Sequence, residues 1–172
     1  SWVDEIVVGL AVHNRRSARD KATMGMFSSV IPIRVAVDQG ASFQSLLIAV
    51  AKVSLRCFRH QRVPIAEITR GVGLSRAGRK RLFDVSLSIE GFDGDISFPG
   101  FEIEALAMNS DAEQAPLAVA VRDYHDARDV VFDLKFREAS LSIERAQALK
   151  NGLSCVFDAL VRGFSGPIDQ LP

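Results

Sequence analysis

Residues 83–90 read FDVSLSIE. Phe83, Val85, Leu87 and Ile89 alternate with Asp84, Ser86, Ser88 and Glu90, the period of two that sends successive side chains to opposite faces of a sheet. A strand written this way has one apolar face and one wet face, so the apolar face needs a covering layer. FEIEALA (residues 101–107), PLAVAVRD (116–123) and VVFDLKF (130–136) read the same way. The sequence therefore predicts a sheet with one solvated side, and its other segments have to supply the cover.

Two segments supply it. Ser42 is a plausible N-cap for a helix running to about Gln61, in which Phe43, Leu46, Leu47, Val50, Cys57 and Phe58 recur at helical spacing. A last helix starts near Ser142, with Ile143, Ala146, Leu149, Leu153, Val156, Phe157, Leu160 and Phe164 on one face. Between these, Pro64 suits the first turn of a shorter helix to about Arg70. IVVGLAV (residues 6–12) is short, apolar and β-branched, the pattern of a strand buried on both faces. VIPIRVAV (residues 30–37) is a second strand, whose Pro32 cannot donate to a ladder and so implies an edge or a bulge. GVGLSRAGRKR (residues 71–81) reads as a flexible basic linker. The expected fold is α+β: a two-layer sandwich of a mixed or antiparallel sheet with helices on one face. Its 172 residues make one domain, without internal repeats.

Composition narrows the function classes. Hydrophobic residues are 48% and charged residues 24%, the balance of a folded globular chain. The 21 basic and 21 acidic residues cancel, so the overall charge pulls toward neither nucleic acid nor an anionic membrane. No apolar run reaches the ~18 residues of a membrane span, and the expected location is the cytoplasm. Cys57 and Cys155 lie in apolar helical patterns without a CxxC or Cys/His partner, which predicts two buried thiols, with neither zinc nor a disulfide framework.

Candidate chemistry is sparse. YHDARDV (residues 124–130) places His125 four positions before Asp129, the spacing at which a base and its orienting carboxylate can meet. The stretch also falls between two predicted strands, where Asp126, Ala127 and Arg128 are ordinary hairpin residues. The glycines of GVGLSRAGRK match neither GxGxxG after a strand nor GxxxxGK[ST]. His60 stands where the long helix ends, a position from which it can satisfy the last carbonyls. Arg15, Arg16, Arg19, Lys21, Arg70, Arg76, Arg79, Lys80 and Arg81 could form a patch for an acidic partner.

Read in order, four segments resemble the later motifs of nonribosomal peptide synthetase condensation domains. GLAVHNRR, with Asn14 and Arg15, resembles the strand and NR turn that open the family's second lobe. MGMFSSVIPIRV (residues 24–35) resembles IGxFxNTxPLR through Gly25, Phe27, Pro32 and Arg34. RHQRVPIAEI resembles HQDxPFE through His60, Gln61 and Pro64, in a variant similar to that of siderophore-type synthetases. RKRLFDVSLSIE resembles the segment ending in PLFDV, through Phe83 and Asp84. The resemblance implies one lobe of a chloramphenicol acetyltransferase-like fold, the C-terminal lobe, with a tunnel against an N-terminal lobe. It further implies that Gly25, Phe27, Ser28 and Ser29 line that tunnel. Arg15, Arg16, Arg79 and Lys80 are the candidates for meeting a peptidyl or aryl carrier protein. The phosphopantetheine arms of such carriers would be substrates, with no cofactor or metal bound directly. The segment from about Gly91 to Gln114 is a candidate arm crossing to the other lobe, and without that lobe a dimer or domain swap is expected.

The departures matter as much. Ser29 and Val30 stand where the family has asparagine and threonine, and Arg62, Ile65 and Ala66 where it has Asp, Phe and Glu. The family's catalytic HHxxxDG belongs to the first lobe, and the chain contains no HH pair. YHDARDV can be laid on that motif but follows every second-lobe motif instead of preceding them, so the resemblance implies no catalytic residue here. The alternatives are a catalytically inert module that docks carrier proteins, and an unrelated small-ligand-binding domain.

Overall fold

The structure is a computed structural model that describes residues 4–74, 78–91, 99–102, 115–123 and 130–172. Strand β1 (Glu5–Val12) is followed by a short helix α1 (Ala18–Ala22), strand β2 (Ser29–Ala36), helix α2 (Phe43–Arg59) and helix α3 (Ile65–Gly71). Strands β3 (Val85–Gly91), β4 (Leu117–Asp123) and β5 (Val131–Phe136) then lead into helix α4 (Ile143–Val161) and a final 3-10 turn, Ile168–Gln170. Among the described residues these strands form one five-stranded sheet, in the order β2-β1-β3-β4-β5. Its outer pairs, β1/β2 and β4/β5, are antiparallel, while β1/β3 and β3/β4 are parallel. This is the α+β sandwich that the sequence predicts.

Register puts one apolar row on one face. Val8 pairs with Ile33 and Val85, Leu10 with Ile31 and Leu87. Val85, Leu87 and Ile89 pair with Leu117, Val119 and Val121, which pair in turn with Phe136, Leu134 and Phe132. Helix α2 covers the β2 end of this face: Leu46, Val50, Val53 and Cys57 pack on Val12, Ile31, Ile33 and Val35. Helix α4 reaches the other end, where the rings of Phe132 and Phe157 stand 4.8 Å apart. Both long helices begin as read, Ser42 Oγ accepting from the Ser45 amide and Ser142 Oγ from the Arg145 amide. The tail is tied to the start of α2 by Ile168 N–H donating to the Ala41 carbonyl at 3.0 Å.

Among the described residues Pro32 does lie on an edge strand, β2, which pairs there only with β1. Three expectations need correction. Strand β1 is not buried on both faces: neither long helix lies on the side opposite the apolar row, where Ala11 is exposed, and Ile6, at the start of the apolar row itself, is exposed as well. The thiols are not both buried: Cys57 is half-buried and Cys155 exposed, since α4 turns that residue away from the sheet. Phe83 does not continue the alternation of Val85 to Ile89. The strand begins only at Val85, and the Phe83 ring swings to the opposite face, over Gly9. Residues 103–107 of the FEIEALA strand, most of the candidate arm, and YHDARDV up to Asp129 lie outside the described residues. Strands β4 and β5, which flank the last of these, are antiparallel, with Arg122 opposite Val131.

Candidate functional site

The first two motifs meet at the end of β1. Asn14, with φ of 54°, takes the left-handed conformation that asparagine tolerates better than most side chains, and this turn aims Arg15 back across the following loop. Its Nη1 donates to the carbonyls of Asp20 and of Thr23, the latter at 2.6 Å, and its Nη2 donates to the Gly25 carbonyl at 2.6 Å. The guanidinium stacks 4.2 Å from the ring centroid of Phe27. A planar fork with five donors is suited to gathering several carbonyls while its face rests on an aromatic ring. Asn14 Oδ1 is buried and, among the described residues, accepts no hydrogen bond. Gly25 itself has φ of 142°, a region L side chains rarely adopt, so this bend favours glycine.

Asp20 locks the same loop from its other side. Its carboxylate accepts the amides of Arg16 and Ser17, each at 3.1 Å, while Ser17 Oγ accepts the Asp20 amide at 3.0 Å: a capping box at the start of α1. Arg62 Nη2 adds an ion pair at 3.0 Å. These N–H donors, with the Arg62 charge, hold the Asp20 carboxyl below the usual carboxylate range. The pair also gives a physical account of one departure. Where the family motif has Asp, Arg62 finds an acidic partner in α1, and the turn after α2 is thereby fastened to the NR loop. Asp20 was not singled out from sequence, although Ser17-x-x-Asp20 was a readable capping signal.

His60 is the C-cap residue of α2, but its backbone does the capping, its N–H donating to the carbonyls of Cys57 and Phe58. The residue stands at a cavity of about 480 Å³ between α2, α3 and β2, whose walls include Ile31, Val53, Cys57 and Ile68. Gln61 is half-buried and Pro64 caps α3. Arg34 points to the face away from α2 and makes a forked pair with Glu5, at 2.7 Å and 3.1 Å, which raises the Arg34 pKa further. On that same face Arg122 bridges Asp133 at 2.7 Å and Glu90 at 3.7 Å. Small residues lie between these charged edges: Gly9, Ala11, Ser86, Ser88, Ala118 and Ala120. Among the docking candidates, Arg15 is spent on internal carbonyls, Arg79 pairs with Asp84 at 3.5 Å, and Arg16 and Lys80 are exposed. Among the described residues no group of three or more His, Cys, Asp or Glu side chains is placed to hold a metal ion, and no helix is long and apolar enough to cross a membrane.

A mixed sheet with both long helices on one face, carrying these motifs in order, defines a condensation-type fold. The condensation domain family matches residues 2–171, and the chain belongs to that family. Among curated relatives, surfactin synthase subunit 1 of Bacillus subtilis (strain 168) is 23% identical over 99% of this chain and 5% of its own length. Tyrocidine synthase 3 of Brevibacillus parabrevis is 22% identical over 98% of this chain and 3% of its own. The starter condensation domain of rhizomide synthetase RzmA, solved as a double mutant with C8-CoA and Leu-SNAC, aligns with a TM-score of 0.84 and 27% identity. That alignment takes in 98% of this chain and 38% of the other. The first condensation domain of the CDA synthetase shares the fold, with a TM-score of 0.72 at 15% identity. The chain thus spans about two fifths of solved condensation domains and a small part of each synthetase.

Proposed function

We propose that this chain is the C-terminal lobe of a nonribosomal peptide synthetase condensation domain. In the assembled enzyme, a cytoplasmic one, the amine of a carrier-tethered acceptor attacks the carbonyl of a carrier-tethered donor thioester. The amide C–N bond forms, the C–S bond breaks, and the departing thiolate takes up the proton released by the amine. One observation carries the reading: the family matches residues 2–171, while 98% of the chain covers only 38% of a solved condensation domain. The remaining part of such a domain is where HHxxxDG belongs in the family, and the chain has no HH pair.

This lobe contributes surface. Gly25, Phe27, Ser28 and Ser29 form tunnel wall, and the face of small residues away from the helices turns toward the N-terminal lobe. Two thioesters held in one tunnel react as if intramolecular, and that proximity supplies much of the rate. Arg16, Lys80 and Arg79 are the basic positions offered to peptidyl or aryl carrier proteins, whose phosphopantetheine arms bring in the substrates. Such steering weakens with salt.

The test is amide formation by the chain joined to its upstream lobe, with donor and acceptor carrier proteins loaded and the product weighed by mass spectrometry. Product is expected to disappear when the upstream HHxxxDG histidine is changed and to persist in His125→Ala. Product formed by the upstream lobe alone would overturn the assignment.

A further inference from the structure

The bend at Met24, Gly25 and Met26, just before β2, is held in a way its own side chains do not explain. Met24 is 100% exposed and Met26 93%, so neither buries apolar surface that could fix the backbone between them. The Gly25 conformation, at φ of 142°, is not dictated by crowding: among the described residues a Cβ there would meet only Phe27, at 4.0 Å. What does hold the segment is Arg15. It reaches ten residues along the chain to the Gly25 carbonyl, takes the Asp20 and Thr23 carbonyls at the end of α1, and seats its face on Phe27. The Asp20 and Thr23 carbonyls lie in the last turn and at the C-cap of α1, where a cation is favoured. Asp20, through Arg62, fastens the far side of the loop to the turn after α2.

We propose that Arg15 is a positioning residue. It fixes the segment of residues 24–28 in the one shape with which that segment meets a carrier-tethered thioester, and Met24 and Met26 are the adaptable apolar contacts so presented. The inference rests on the reading of this segment as tunnel wall. Its physical content is pre-organisation: a loop competent for only a fraction of the time weakens apparent affinity by that fraction, yet leaves the bound complex unchanged. Lysine replaces the arginine only in part, since a compact ammonium lacks the planar fork that reaches spread carbonyls while its face stacks on a ring.

The experiment uses the intact protein with its upstream lobe. Each of two loaded carrier proteins is varied while the other is saturating. Arg15→Ala is expected to raise KM for one of them roughly tenfold with kcat within about twofold, as for a loop whose competent population falls to about a tenth. Arg15→Lys should fall between, and it carries the test should the alanine variant be insoluble. A merely structural arginine gives the opposite split: fewer folded molecules, lower apparent kcat and an unchanged KM, which would overturn the proposal. Ser28→Trp separates the two layers of the argument. If Ser28→Trp impairs either KM while the Arg15 variants do not, the role of Arg15 alone is refuted. If Ser28→Trp and the Arg15 variants are all silent, the segment is not tunnel wall and both readings fall.

Discussion

The ring of Phe83 occupies the space in which a Cβ on Gly9 would stand, its Cε2 and Cζ lying well inside van der Waals contact of that position. The contact joins β1 to a residue two positions before β3, and the two strands pair in parallel with Gly9 opposite Ser86. A glycine inside a strand ordinarily weakens it, and here the absent side chain is what lets another segment approach.

Gly9→Ala should therefore destabilise the chain by about 1–3 kcal/mol, the usual cost of forcing atoms into an occupied site. Equilibrium unfolding in urea measures it. In a Phe83→Ala background the same change should cost much less, because the obstructing ring is gone. Equal costs in both backgrounds would show that the ring does not sit on Gly9.

Asp20 gives a pH prediction. Its folded pKa is lowered, first by the Ser17 amide and then by the Arg16 amide, with smaller help from the Ser17 hydroxyl and Arg62. A depressed carboxylate contributes stability that is fully present above the unfolded value of about 3.9 and is lost as pH falls through the lower folded value. Asp20→Asn keeps an acceptor but not the charge. The variant should be less stable than the natural chain at pH 7, and the gap should close as the pH falls below about 4. A gap that widens in acid would contradict the assignment.

How much of this was legible from sequence follows the range of each interaction. Ser42 and Ser142 were readable as caps because a cap bonds an amide three residues away. The alternation from Val85 to Ile89 was readable because each side chain answers to the same sheet. Phe83 was misread by continuing that alternation past the residue where the strand begins. Its true partner, Gly9, lies 74 positions away and has no side chain to signal a contact. Arg15 was placed by motif and offered to a carrier protein, because its actual partners are backbone carbonyls, which every sequence contains and none displays. Arg62 read as a loss from a motif until Asp20 was seen beside it.

The caps can be tested singly. Ser42→Ala and Ser142→Ala should each cost about 1 kcal/mol, the typical loss of an N-cap hydroxyl. Ser42 also exchanges a hydrogen bond with Ser45 Oγ at 3.0 Å and stands at the isolated bridge to Pro167. Ser42→Ala should thus loosen the C-terminal turn as well, seen as faster amide exchange at Ile168 and Asp169, whose N–H groups bond Ala41 and Gln39. Unchanged exchange there would mean that the tail docks independently of the cap.

The two thiols report on the two helices. Cys155 is exposed on α4, whereas Cys57 is half-buried on the face of α2 that meets the sheet, its Sγ 3.8 Å from the Pro32 carbonyl. Access and thiolate character govern thiol reactivity, so iodoacetamide should label Cys155 first and Cys57 roughly tenfold more slowly. In mild urea the rates should respond differently. Cys155 needs no opening and should barely change, while Cys57 must wait for α2 to lift from Ile31 and Ile33, so its rate should climb with denaturant. Peptide mass spectrometry resolves the two sites. Comparable rates without denaturant would show that α2 is not seated on the sheet, and would remove the helical layer on which the positions of His60 and Arg62 depend.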